Sequence, residues 1–242
     1  MLPPTFEIEI RAVEKLSPSV RQFVFARTDG APLAHIPGQW LNLVLPTSSG
    51  EVRRAYSVAS PPETGPTFDI AVTEVVNGPG SGYLAGLQVG ARLLAVGPQG
   101  FFTRAATDPA PALFVGTGTG VTPLRAMIQA AARADSDVPV SLLFGVRHEE
   151  DILYREEWLA LARTMPGFRV FVTLSQGDAS WTGRRGYVQS HVAELLDELA
   201  RRERGAPQVY VCGLERMVAA VRHLTRKELG LARQRVHSER YD

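Results

Sequence analysis

Two textures divide this chain, and the change between them limits its architecture more than any single residue does. Over residues 6–102 it runs in short alternating segments, FEIEIRAVEKL, VRQFVFA, WLNLVLP, RAYSVAS, FDIAVTEVV and ARLLAVGP, broken by Gly, Pro and Ser. Alternation with turn residues at intervals of roughly 8 to 12 positions predicts an antiparallel barrel or sandwich. One helical interruption is expected near residues 83–87. After the Pro- and Ala-rich stretch at 103–111, apolar strand-like runs alternate with helical ones: ALFVG, PLRAMIQAAAR, PVSLLFG, REEWLALAR, FRVFVTLS, VQSHVAELLDELA, QVYVCG and ERMVAAVRHLTRKEL. Strand then helix, repeated, predicts a doubly wound parallel sheet. The expected architecture is therefore a β plus α/β pair, an N-terminal antiparallel β-barrel over residues 1–106 and an α/β domain over 107–242.

Charge is nearly balanced, with 26 Lys plus Arg against 25 Asp plus Glu, so bulk electrostatics supply no affinity for nucleic acid or an anionic membrane. Only Lys15 and Lys227 are lysines, so any basic site is built from arginine, the better fork for phosphate or carboxylate. A lone Cys212 closes no internal disulfide and holds neither a four-thiolate zinc nor an iron-sulfur cluster, so no metal centre is expected. The opening residues show neither a basic nor an apolar signal region, and no apolar run approaches the roughly 18 residues of a membrane span, so the expected location is cytoplasmic.

Within the second texture, Gly116-Thr117-Gly118-Thr119-Gly120-Val121-Thr122-Pro123 follows an apolar strand and opens a helix, with Pro123 suited to its first turn. Such a loop lets backbone N–H groups approach a pyrophosphate; a purely structural turn is the alternative. The next strand ends in Gly145-Val146-Arg147, where an acidic residue for ribose hydroxyls would otherwise stand. Arg147 is thus either a phosphate ligand or a solvated surface charge. In the first texture, Arg53-Arg54-Ala55-Tyr56-Ser57 lies on a strand, so Arg54 and Tyr56 share a face and Ser57 points the other way. Arginine, tyrosine and serine there suit a phosphate, a flat ring and ring heteroatoms, or form an ordinary barrel strand.

Taken in order, these motifs resemble the ferredoxin-NADP reductase family, flavoproteins that pair an FAD-binding barrel with an NAD(P)-binding α/β domain. Arg54-Ala55-Tyr56-Ser57 is similar to the family's Arg-x-Tyr-Ser signature, which implies that Arg54 meets the FAD pyrophosphate and that Tyr56 and Ser57 contact the isoalloxazine. Ala71-Val72-Thr73 resembles the strand whose backbone approaches the flavin, and Gly78-Pro79-Gly80-Ser81 the turn that binds the FAD pyrophosphate. By the same resemblance, Thr117, Gly118, Thr119, Gly120 and Thr122 belong to the nicotinamide-dinucleotide loop. Cys212 and Gly213, with Met217, end the strand beside the nicotinamide. Glu239 and Tyr241 resemble the family's terminal Glu, one residue, then aromatic; Glu239 is implied to orient the nicotinamide and Tyr241 to cover the flavin. Read without the resemblance, Cys212 is a buried structural thiol and Tyr241 a tail residue.

Some positions depart from the pattern. Asp242 stands where some short members carry a further aromatic over FAD. Leu174-Ser175-Gln176 has glutamine where NADP-binding members commonly place an arginine after the serine. Thr182-Gly183-Arg184 resembles the second 2′-phosphate arginine, with Arg147 as a third, so NADP(H) is expected, with NADH possible. The implied activity is hydride exchange with NAD(P)H and electron transfer to a separate ferredoxin or flavodoxin, for which Arg53, Arg235 and Arg240 are candidate contacts near the flavin edge. Alternatives are the reductase component of an oxygenase, a free flavin or ferric reductase, and, in another class, a regulatory module that has lost its flavin.

Overall fold

The computed structural model describes residues 4–47, 50–62, 65–75, 78–202 and 205–241; Asp242 and the Pro79 side chain lie outside the described residues. Six antiparallel strands, β1 (Thr5–Ser17), β2 (Val20–Arg27), β3 (Trp40–Thr47), β4 (Gly50–Ser57), β5 (Thr67–Thr73) and β6 (Arg92–Gln99), form a sheet in the order β4-β3-β6-β1-β2-β5. The two edges meet where the Ala59 amide, just past β4, donates to Asp69 O of β5 at 2.7 Å, so the sheet curls into a barrel. Alternation does the folding here: Phe6, Ile8 and Ile10 of β1 point inward while Glu7 and Glu9 between them are more exposed. Phe23, Phe25 and Phe68 stack through the core, with ring centroids 6.2 and 5.7 Å apart. The helical interruption, α1 (Pro79–Ala85), begins earlier than the expected 83–87 because proline suits a first turn, and it ends against Gly86.

The second unit contains β7 (Ala112–Thr117), α2 (Val121–Arg133), β8 (Val140–Val146), α3 (Arg155–Thr164), β9 (Phe168–Leu174), β10 (Arg184–Arg185), α4 (Gln189–Ala200), β11 (Gln208–Leu214), α5 (Glu215–His223) and β12 (Val236–Tyr241). Its strands are parallel in the order β10-β9-β8-β7-β11-β12. Both faces are covered, which is why the strands read as nearly continuous apolar runs. Phe114, Leu142 and Phe144 pack on α2 and α3, while Leu113, Val115, Leu143, Val209 and Val211 pack on α4 and α5.

Two further features differ from the sequence reading. The run at 215–229, expected as one helix, leaves α-helical geometry after His223 for a π-helical turn (Leu224–Glu228), where the buried Thr225 hydroxyl donates to Val221 O at 2.8 Å. The chain end, read only as a motif, is a strand paired with β11 along its whole length. The barrel and the α/β unit meet through apolar contact, since Val20, Ala71 and Phe102 of the barrel side join the core that contains α2.

Candidate active site

The strand order reverses at β7, which has β8 on one side and β11 on the other, and ligands of open α/β sheets bind outside the carboxyl ends of the strands at such a point. The structure gathers residues 116–122 there beside Cys212, Gly213 and Met217. Gly213 has φ +145°, and a Cβ on it would stand 2.3 Å from Thr117 Oγ1 and 2.9 Å from Met217 Cε, so only glycine keeps this floor open. Thr117 Oγ1 is itself buried and has no hydrogen-bond partner among the described residues. An orphaned hydroxyl facing a glycine-walled floor fits a flat, polar-edged group such as a nicotinamide or flavin ring.

On the barrel side, Arg54 is exposed and its guanidinium meets no acid among the described residues; Nη1 donates only to Arg53 O, at 3.0 Å. Its stem lies against the start of α1, where a Cβ on Gly80 would come within 2.9 Å of Arg54 Cγ. An unneutralised fork beside a helix start fits a pyrophosphate. The Ser81 hydroxyl turns inward, accepting from the Val75 amide at 3.1 Å. Ala55 is exposed, Ala71 and Val72 are buried, and Thr73 Oγ1 lies 3.2 Å from Thr119 Oγ1 across the two units. Tyr56 packs half-buried against the barrel core, and burial pushes its hydroxyl up to about 12 against the opposing pull of Arg54.

Between these halves a chain of polar groups closes. Tyr241, at the end of β12, donates to Ser57 Oγ at 2.5 Å, and Ser57 donates to Glu239 Oε1 at 3.3 Å. Thr122 Oγ1 lies 3.3 Å from the same tyrosine hydroxyl. Cys212 pairs in register with Glu239 and is wholly buried; burial, reinforced by Glu239, holds its thiol well above the ordinary range. Burial raises the Glu239 carboxyl to about 7, against the opposing Ser57 hydrogen bond. The Tyr241 hydroxyl is also pushed up, first by burial and then by Cys212 and Glu239. At neutral pH, therefore, Ser57, Cys212 and Tyr241 all carry protons and Glu239 exchanges one.

The arginines separate into free and engaged. Arg147 is exposed at the end of β8, with no side-chain partner among the described residues, and its carbonyl accepts from the Gln176 amide at 3.0 Å, which draws Ser175 and Gln176 to its side. Arg184 is instead clamped by Glu194 through bonds of 2.8 and 2.9 Å and lies over Phe171, so its charge is already matched. Arg235 is not near the other site residues: it donates to Pro207 O at 2.9 Å before β12 begins, about 20 Å along the strand from Tyr241. Arg240 pairs with Glu215 at 2.7 Å, and Arg53 stands 3.5 Å from Glu51.

Sequence reasoning missed a second polar group where the two units meet. Arg125 of α2 contacts Asp69 and Ala59 of the barrel and Glu157 of α3. The sequence carried little signal: from residue 121 to 131 of α2 the long polar side chains are Arg125 and Gln129, four apart and so on one face, which reads as an ordinary solvent-facing stripe.

Two family models match, an oxidoreductase FAD-binding domain over residues 7–103 and an oxidoreductase NAD-binding domain over residues 114–223. Ferredoxin--NADP reductase B of Sorangium cellulosum is 56% identical over 238 residues, an alignment covering 98% of each chain. The glycine betaine monooxygenase reductase subunit of Chromohalobacter salexigens is 29% identical over 228 residues, 92% of this chain and 60% of that one. The solved ferredoxin reductase of carbazole 1,9a-dioxygenase superposes with a TM-score of 0.84 at 24% identity, covering 99% of this chain and 70% of that one, and shares its fold. Among the described residues no helix is long and apolar enough to cross a membrane. With both cofactor-binding domains matched in order and more than half of its residues shared with one reductase along nearly the whole length, the chain belongs to the ferredoxin-NADP reductase family of FAD- and NAD(P)-dependent oxidoreductases.

Proposed function

We propose that this protein passes electrons between NADP(H) and a separate ferredoxin-type carrier. The observation that carries the reading is the Tyr241, Ser57 and Glu239 chain, which joins the barrel to the α/β unit beside Cys212 and the orphaned Thr117 hydroxyl. FAD, when bound, supplies the conversion between hydride and single-electron chemistry, and the protein supplies orientation and protons.

Arg54 holds the FAD pyrophosphate, helped by the amides of Gly80 and Ser81, with Pro79 opening that helix. Tyr56 would lie along the flavin, and Ala55, Ala71, Val72 and Thr73 would approach it with backbone. Ser57 would offer a hydrogen bond to the flavin edge, and Glu239, bonded to Ser57, could hold or release a proton behind it. Thr117, Gly118, Thr119, Gly120 and Thr122 bind the nicotinamide dinucleotide, with Cys212, Gly213 and Met217 shaping the nicotinamide's seat. Tyr241, bonded to Ser57, would cover the flavin and would have to give way for a nicotinamide to reach it. Arg147, unengaged, with Ser175 beside it, reads the 2′-phosphate; Arg184, matched by Glu194, takes a smaller part. We place the division between the units near residue 106, in the segment linking β6 to β7, and the protein in the cytoplasm, where nucleotide and carrier meet.

Anaerobic stopped-flow of the flavin-loaded protein tests this. NADPH is expected to bleach the oxidised flavin at least about tenfold faster than NADH at equal low concentration, as one charge-assisted contact allows, and the reduced protein to reduce ferredoxin. No bleaching overturns the reading. Bleaching with transfer to an oxygenase component but not to ferredoxin assigns the chain to that branch, to which the monooxygenase reductase relative belongs.

A further inference from the structure

Among the described residues, the side chain with the most hydrogen bonds lies outside the site. Arg125 Nη1 donates to Ala59 O at 3.1 Å and to Asp69 Oδ2 at 2.9 Å, both on the barrel. Its Nε and Nη2 donate to Glu157 of α3 at 2.8–2.9 Å. Gln129 Nε2 donates to the same carboxylate at 2.6 Å, and the Tyr154 ring lies 4.4 Å from the guanidinium carbon. The arginine side chain is 12% exposed and that of Asp69 9%, so the bonds that cross between the units are largely shielded from water, while Glu157 on the α/β side is 27% exposed. Asp69 is anchored in turn, since its amide donates to Ser60 Oγ at 3.1 Å and its carbonyl accepts from the Ala59 amide at 2.7 Å.

Both ends of the junction are tied by short chain to the active site. Ala59 follows Ser57 by two positions, and Arg125 follows Thr122, whose hydroxyl faces Tyr241, by three. A fork that bonds both units at once fixes how far the end of β4 stands from the start of α2. That separation is also the distance between the residues assigned to the flavin and the loop assigned to the nicotinamide. Surface ion pairs such as Arg155 with Glu149 lie within one unit and set no such distance.

We propose that Arg125, through Asp69 and Ala59, is a positioning residue for hydride transfer: it clamps the barrel to the nucleotide-binding unit at the spacing the reaction needs. The proposal rests on the reductase reading above. Asp69→Asn weakens the clamp across the junction, whereas Glu157→Gln alters only the half within the α/β unit. The test is the limiting rate of flavin bleaching at saturating NADPH, expressed per bound flavin in the holoenzyme. Asp69→Asn is expected to lower this rate at least fivefold, with the half-saturating NADPH concentration changed less than twofold; Glu157→Gln is expected to stay within twofold of wild type. A purely structural role would lower the unfolding midpoint or flavin content and leave the rate per flavin unchanged. A wild-type rate in Asp69→Asn, or equal slowing in both variants, overturns the proposal; a wild type that does not bleach overturns the reductase reading beneath it. If Asp69→Asn does not load flavin, Arg125→Lys, which keeps the charge but cannot fork to both units, carries the same expectation and the same refutation.

Discussion

Replacing Glu239 by glutamine removes one titration from the folded protein and almost nothing else, because the amide keeps the shape and still accepts from Ser57. The native carboxyl is raised by burial from 4.5 to about 7, while in the unfolded chain it ionises at the ordinary value. Between those two values the folded state holds a proton that the unfolded state has lost. Stability therefore falls as pH rises, by about 1.4 kcal/mol per pH unit for one such group. The contribution is fully present below 4.5 and is lost as pH rises through about 7, a total of about 3 kcal/mol. Glutamine carries no such slope. Denaturant unfolding of the flavin-loaded wild type and Glu239→Gln at matched pH values isolates the effect, since every other titrating group, including those around the cofactor, is common to both. From about pH 5 to about pH 8 the variant is expected to gain about 2.5 kcal/mol relative to wild type, the rest of the effect lying below pH 5. Parallel curves would refute the reasoning, and so would a relative gain toward acid, which belongs to a carboxylate held ionised by a partner.

Three further substitutions probe separate parts of the site. Arg54→Ala removes the only cation beside the start of α1 that has no acidic partner among the described residues, and FAD is expected to dissociate on the order of ten- to a hundredfold more readily while circular dichroism stays unchanged; undiminished flavin content would defeat that assignment. Gly213→Ala places a Cβ at 2.3 Å from Thr117 Oγ1 at a φ of +145°, so flavin bleaching by NADPH should slow sharply at unchanged flavin content, and a wild-type rate would show that the floor is not the nicotinamide's seat. Arg147→Ala should cut the NADPH-to-NADH preference about tenfold or more, whereas Arg184→Ala, which removes the partner of Glu194, should leave that ratio nearly unchanged; the reverse order would reassign the 2′-phosphate.

The architecture was legible because both halves follow local rules. Strand alternation in residues such as Phe6, Ile8 and Ile10 marks a sheet with one buried face, and doubly apolar runs such as Leu113, Phe114 and Val115 mark one buried on both. The motifs proposed for the site are readable for a related reason: glycine loops and the Arg54, Tyr56 and Ser57 run are contiguous, so a short stretch holds each motif. What the sequence did not disclose depends on distant partners. Nothing near Arg184 announces that Glu194, ten residues on and on another element, neutralises it. Nothing in residues 236–241 requires a strand until β11 offers it an open edge. The stop of α5 at His223 coincides with Thr225 bonding back into the preceding turn.

Arg125 was the least legible residue of all, and the physics of buried charge explains both its concealment and its use. A single arginine in a helix reads as a solvent-facing position, and its neighbour four residues on, Gln129, strengthens that impression. Only assembly of the two units turns that face inward, bringing Asp69 from the barrel and Glu157 from α3 to meet it. A buried ion pair is a poor source of net stability, because desolvating the charges offsets most of their attraction, and an apolar junction of the same volume would hold the units at least as firmly. Apolar surfaces slide with little change in energy, however, whereas a planar fork bonded to oxygens on both sides keeps its strength only over a few tenths of an ångström. Val20, Ala71 and Phe102 already supply the apolar adhesion between barrel and α/β unit. The charged group added to it sets the register in which they adhere, and Ser57, Glu239 and Tyr241, contributed from both sides of the same junction, meet only in that register.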